Sequence, residues 1–253
     1  MISQYWASAR RETMVRARVA ALVVLLSGLM MSACSRPEPI ALGSAPASPS
    51  SRIVLPLLSD RPGIYPVNMW PKACDLLSDA DLRAVFPQAA DVTRKPEDLR
   101  LSVFTDPLRG GGGRYVVPGA QCTYRFSLPG AQNTPGETWG GYVLKLDVYA
   151  VGNREFVREN RHRAGAGQTR VIGGAECTVD VDSVLLSCAA DRMGFTLQDL
   201  KGNVTQDGGV AHFQRNGQVT TFDGDRLTQI DQQHDFVTRY VLPEVVKTIV
   251  AKL

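Results

Sequence analysis

The chain has 253 residues, enough for one large domain or one domain with appendages. Its 28 Lys and Arg outnumber its 25 Asp and Glu by three, but four of the basic residues and one acid precede residue 34. Residues 34–253 hold 24 of each sign and no net charge. Binding to nucleic acid, which needs a basic stripe, is therefore not expected.

Arg10, Arg11, Arg16 and Arg18 form a basic start, and Val19 to Met31 is apolar apart from Ser27 and Gly28. A membrane-spanning helix needs about 20 apolar residues, so this shorter stretch reads as the core of an export signal. It ends in Met31-Ser32-Ala33-Cys34, with small side chains before the cysteine, as in the lipobox of bacterial lipoproteins. Residues 1–33 are thus expected to be removed, with Met1 or Met14 as the start. Cys34 is expected to carry diacylglyceryl and palmitoyl chains; several acyl chains anchor stably where one is marginal. Parity agrees: of five cysteines, lipid on Cys34 leaves Cys74, Cys122, Cys177 and Cys188 to pair in an oxidising compartment.

Residues 34–67 hold seven of the fifteen prolines and no sustained apolar period, so they read as a disordered or polyproline-like tether. Within it, Ile53-Val54-Leu55 and Leu57-Leu58 are apolar enough to dock. Residues 68–253 read as one domain. Ser78 is placed to cap a helix, with acidic residues in its first turn and Leu77 stapled to Leu82. Leu82, Val85 and Phe86 form its inner stripe, and Pro87 ends it.

Two strands with period-two alternation come next. Cys122, Tyr124, Phe126 and Leu128 face one way, and Tyr142, Leu144, Leu146 and Val148 repeat the pattern, as in an antiparallel sheet with one wet face. The Pro/Gly/Asn segment between them predicts a hairpin. Asn153 caps a short charged helix to about Arg163, with Phe156 and Val157 inward. Thr169 to Leu200 reads as three strands. Cys177 and Cys188 lie symmetrically about Asp182-Ser183, so a hairpin turning there sets them opposite each other, within disulfide reach. Cys74 and Cys122 would then pair, although four cysteines allow three connectivities. In the chain-entropy account the two links are worth about 3 and about 4 kcal/mol.

Gly202 to Gly217 reads as loop or irregular hairpin. Asp223 or Asp225 opens a last helix with Leu227, Ile230, Val237, Val241, Val245 and Ile249 on one face, kinked or split by Pro243. The expected class is α+β: an antiparallel sheet with helices packed on one face, stapled by two disulfides.

No catalytic motif emerges. Gly110 to Gly113 lacks the Lys-Ser/Thr of a P-loop and reads as a flexible loop. His162, His212 and His234 have no second ligand at metal spacing, so neither metal nor cofactor is expected. Asp180 with Asp182, and Asp223, Asp225 and Asp231, are the acidic groups from which a hydrolase could be built, as could a serine. Trp139, Tyr149 and Arg125 fall outside the predicted core and mark a pocket or partner patch, or ordinary partial burial.

The lipobox, Cys74-Asp75-Leu76-Leu77-Ser78-Asp79-Ala80-Asp81-Leu82, Cys122-Thr123-Tyr124 and Gly173-Gly174-Ala175-Glu176-Cys177 together resemble an uncharacterised family of actinobacterial cell-envelope lipoproteins. The resemblance spans about Trp70 to Leu253. Ala73 stands where that family often has Pro, and Tyr124 where it often has Trp. The architecture is also similar to disulfide-stapled sensor domains of actinobacterial receptor kinases. The resemblance implies a non-enzymatic module anchored to the cell membrane on its extracytoplasmic face, binding a small molecule, lipid, glycan or protein. It assigns no catalytic residue. The alternative is an envelope hydrolase.

Overall fold

A computed structural model describes residues 38–56, 63–106, 111–129, 141–161, 168–199, 205–206 and 209–253. After a short first strand, β1 (Ile40–Leu42), seven strands build the centre of the domain. They are β2 (Ala90–Asp106), β3 (Gly111–Ser127), β4 (Tyr142–Val151), β5 (Gln168–Ile172), β6 (Ala175–Asp180), β7 (Leu185–Ala190) and β8 (Met193–Asp199). All pair antiparallel, in the order β2-β3-β4-β8-β7-β6-β5. The alternation in β3 and β4 does what period two requires: Cys122, Tyr124, Phe126, Tyr142, Leu144, Leu146 and Val148 are buried on one face. The expected α+β class holds, as do both disulfides, Cys74–Cys122 and Cys177–Cys188. Cys177 and Cys188 are directly opposed in the β6–β7 hairpin, whose turn runs through Asp182-Ser183.

Helix α1 (Asp79–Val85) packs on the buried face. Ser78 caps it and Asp81 completes the capping box, taking the place of the commoner Glu or Gln. Leu77, Leu82, Val85 and Phe86 are buried as expected. The Phe86 ring lies 5.0 Å from those of Phe126 and Tyr142, and Tyr124 donates its hydroxyl to the Ala73 carbonyl at 2.7 Å. Helix α2 (Arg154–Glu159) is capped by Asn153 and ends sooner than its charged sequence suggests.

The sheet departs from expectation in two places. Gln168 to Asp199 contains four strands rather than three, because the two-residue turn at Gly173-Gly174 splits what reads as one. Strand β2 has no counterpart in the sequence reading, since charged residues and Pro96 interrupt the run before Leu99, Leu101 and Val103 alternate. As the edge strand of the sheet it tolerates Pro96, and Lys95, Glu97 and Asp98 discourage further pairing. Its partner β3 begins at Gly111, so Gly111 to Gly113 are strand and not loop.

A larger departure lies at the N-terminal side. Residues 38–56 are not a free tether but a strap bound along the domain, and Pro37–Leu253 forms one compact unit. Beyond a small ladder of β9 (Thr205–Gln206) with β10 (Gly209–Val210), strand β11 (Phe213–Arg215) hairpins into β12 (Gln218–Thr220). Strand β1 lies parallel to β11 and completes that second sheet. Ile40 is 0% exposed, and its amide donates to the His212 carbonyl at 2.8 Å. The strap passes so close to α1 that a Cβ on Gly43 would stand 1.9 Å from the Ala84 carbonyl oxygen. Leu55 is buried and Ile53 half-buried, while Val54 is 88% exposed. Leu57 and Leu58 lie outside the described residues. Composition misleads here because a few anchoring contacts suffice to order a Pro-rich segment whose unfolded entropy is already low.

Asp225 opens helix α3 (Arg226–Phe236). A π turn over Val237–Val241 then leads into α4 (Leu242–Val250), with Pro243 in its first turn. The split thus falls where Pro243 cannot supply its N–H. Val237, Val241, Val245 and Ile249 are buried and Ile230 half-buried, but Leu227 is 74% exposed and leaves the predicted stripe. Among the described residues no helix is long and apolar enough to cross a membrane.

Candidate functional site

The structure gives most residues singled out by sequence a structural task. Asp180 accepts from the Ser183 amide at 3.1 Å and closes the β6–β7 turn, and Asp182 is exposed in that turn. They do not share a strand face as paired carboxylates would. Asp225 accepts from the Thr228 amide as the α3 cap. The Asp223 main chain exchanges two hydrogen bonds with the Gln232 amide side chain, and Asp231 is exposed. Tyr124, Phe126 and Tyr142 are core. Tyr149 is half-buried, lying against Gly194 and donating to the Cys188 carbonyl at 3.1 Å; Arg125 is exposed. His212 flanks β11 and His234 sits half-buried on α3. Cys34, Trp139, His162 and Gly110 lie outside the described residues. Among the described residues no three His, Cys, Asp or Glu are grouped to hold a metal ion.

The site that does form is not one that the sequence singles out. A cleft of about 370 Å³ is lined by Arg154 and Arg158 of α2, Gly174 of the β5–β6 turn, Glu176, Ala189, and Asp191 of the β7–β8 turn. Each carboxylate is shared by two guanidinium groups. Asp191 accepts from Arg154 Nε at 2.7 Å and Arg192 Nε at 3.1 Å. Glu176 accepts from Arg158 at 2.9 Å and Arg161 at 3.4 Å. Among the lining residues the charges balance, Arg154 and Arg158 against Glu176 and Asp191, while Arg161 and Arg192 reach the two acids from outside the cleft. Burial opposes ionisation of Asp191, but hydrogen bonds from Arg154 and Arg192 prevail and hold its carboxyl below the ordinary range.

The cleft's two lining guanidinium groups are what an incoming anion can meet. The Arg154 and Arg158 side chains are 78% and 67% exposed, so both can turn toward an incoming group. Gly174 and Ala189 keep the lining small, so a ligand can approach the backbone. A planar guanidinium fork matches carboxylate or phosphate oxygens in a way that lysine does not. A sequence signal did exist: Arg154, Arg158 and Arg161 recur at helical spacing after the Asn153 cap. Arg192 and Asp191 come from a distant hairpin turn and carry no such signal.

A scan against family models, a search of curated proteins and a search of solved structures each return no match.

Proposed function

We propose that this is an exported cell-envelope lipoprotein, anchored to the extracytoplasmic face of the cell membrane through Cys34, with a domain that binds rather than catalyses. The arginine-rimmed cleft carries this reading: it is a solvent-open site with two exposed guanidinium groups, suited to an acidic group on a small molecule, lipid, glycan or protein. The two disulfides support maturation outside the reducing cytosol. The lipobox supports the anchor. The hydrolase alternative loses ground because Asp180 and Asp225 are spent on a turn and a cap. The resemblance to actinobacterial envelope lipoproteins agrees with the same reading and rests on short motifs alone.

The test is native mass spectrometry on residues 38–253, purified from an oxidising compartment and titrated with phosphate and dicarboxylate probes. The expected result is a retained or saturable anionic adduct that disappears when Arg154 and Arg158 are both changed to Ala. A domain that stays bare with every acidic probe, or binds equally without those arginines, would remove the cleft from the account.

A further inference from the structure

The docked strap has a consequence for where the domain stands. Were residues 34–62 free, they would let the domain drift roughly 30 Å from its anchor on average, the span of a flexible chain of that length. The strap removes that freedom. Ile40 is fully buried, and further contacts hold the chain behind it: the Gly43 amide on the Val85 carbonyl (2.9 Å), the Ala45 amide on Glu244 (3.0 Å), Ser50 on Asp81 (3.1 Å) and the Ile53 amide on the Lys252 carbonyl (2.8 Å). Only Ser35 to Pro39 lie between Cys34 and the first buried residue. Fully extended, that stretch reaches about 20 Å.

We infer that the lipid-anchored domain stands against the bilayer and presents one defined end to it. The inference rests on lipidation of Cys34. The end in question is fixed by the entry of β1. Helix α3 runs beside β11 in the same direction: Gln233 bonds the Ala211 carbonyl at 3.4 Å, Phe236 stacks on Phe213 at 5.2 Å, and Arg215 lies over Tyr240 at 4.9 Å. The start of α3 therefore lies toward the end where the chain enters β1, bringing exposed Leu227 there together with Arg226, Asp223, Asp225 and Asp231. With Glu38 just before β1, four acids against one arginine give this end no attraction for anionic headgroups. Apposition thus depends on the short anchor and not on affinity of the surface, and the domain without lipid should ignore vesicles.

Neutron reflectometry on the full lipidated chain in a supported bilayer measures the gap directly. The lower edge of the protein layer is expected within about 20 Å of the headgroups. A 20-residue Gly/Ser spacer between Arg36 and Pro37 should open a gap of roughly 25 Å. Ile40→Asp, which expels the strap, should widen it as well. A native chain that stands about 30 Å or more away with its lipid in place, the distance of a free tether, overturns the inference. An intact mass without lipid on Cys34 removes the anchor reading, and the inference with it.

Discussion

The stapled sheet and the strap junction are held by opposite means. In the sheet, hairpin follows hairpin, and disulfides fasten β6 to β7 and β3 to the segment before α1. In the junction, three distant parts of the chain meet without a covalent link: the strap, the N-terminus of α1 and the last residues. At its centre Lys252, 1% exposed, donates to Asp81, also 1% exposed, and to the Leu76 carbonyl at 2.9 Å. The same Asp81 oxygen accepts from the Ser78 amide and hydroxyl, both at 2.7 Å, and from Ser50 at 3.1 Å. The difference teaches where the molecule comes apart first. Covalent staples act through the unfolded state and do not depend on pH, whereas a buried ion pair is only as good as its partners and its charge.

The sharpest way to break that comparison is to remove one partner of the pair. Asp81→Asn leaves the Lys252 ammonium buried and should cost about 3–5 kcal/mol, measured by denaturant unfolding. Joining Lys252→Met to it should recover part of the loss, since an apolar replacement of both partners leaves no orphan charge. A single variant costing under about 1 kcal/mol would mean the pair is no keystone.

The staples come next, and here the sheet should prove the more graded region. Replacing Cys74 and Cys122 with Ala should cost about 4 kcal/mol, and replacing Cys177 and Cys188 about 3, because the first closes the longer loop. Equal losses, or the reverse order, would point to native-state strain rather than chain entropy. Ile40→Ala should cost about 3 kcal/mol as a core truncation, although the residue sits in a Pro-rich segment. A loss of a few tenths would return the strap to the status of tether.

Acid separates the two regions by mechanism. Burial opposes ionisation of Asp81, yet hydrogen bonds from Lys252 and Ser78 hold its carboxyl below the ordinary value. For Glu244 burial is likewise outweighed by the Ala45 amide and Lys247. A carboxyl depressed in the folded state contributes stability that is fully present above its unfolded value, near about pH 4, and is lost as pH falls through the folded one. Both groups hold the strap. Limited proteolysis from about pH 7 to about pH 2 should therefore find residues 38–56 protected down to about pH 4 and cut below it, before the sheet yields. The smallest effect is expected at the cleft. Arg158→Ala removes an exposed ion pair and should shift stability by less than about 1 kcal/mol while weakening anion binding.

How much of this was legible depends on how local each signal is. Helix α1 could be read because cap, staple and stripe all lie between Leu77 and Phe86. The β6–β7 pairing could be read because the turn and both cysteines fall within a dozen residues. Strand β2 could not, since charged residues and Pro96 fill its first half and its inner face, with Val92, Leu99 and Leu101, is only half-buried. The strap was hidden because Ile40-Ala41-Leu42 is a short apolar run among prolines, and the strap's partners Phe213, Glu244 and Lys252 lie far along the chain. The cleft was half visible: Arg154, Arg158 and Arg161 share a helical spacing, but Glu176 and Asp191 reach them only once the sheet forms.

The most direct measurement is amide hydrogen exchange across residues 38–56 in the oxidised protein near neutral pH. If the strap belongs to the fold, the amides of Ile40, Ala41, Gly43, Ala45 and Ile53, each bound to the body of the domain, exchange together and on the timescale of the core strands. If those amides exchange as fast as a free chain while β3 to β8 stay protected, the strap is a tether after all, and the placement of the domain against the bilayer falls with it.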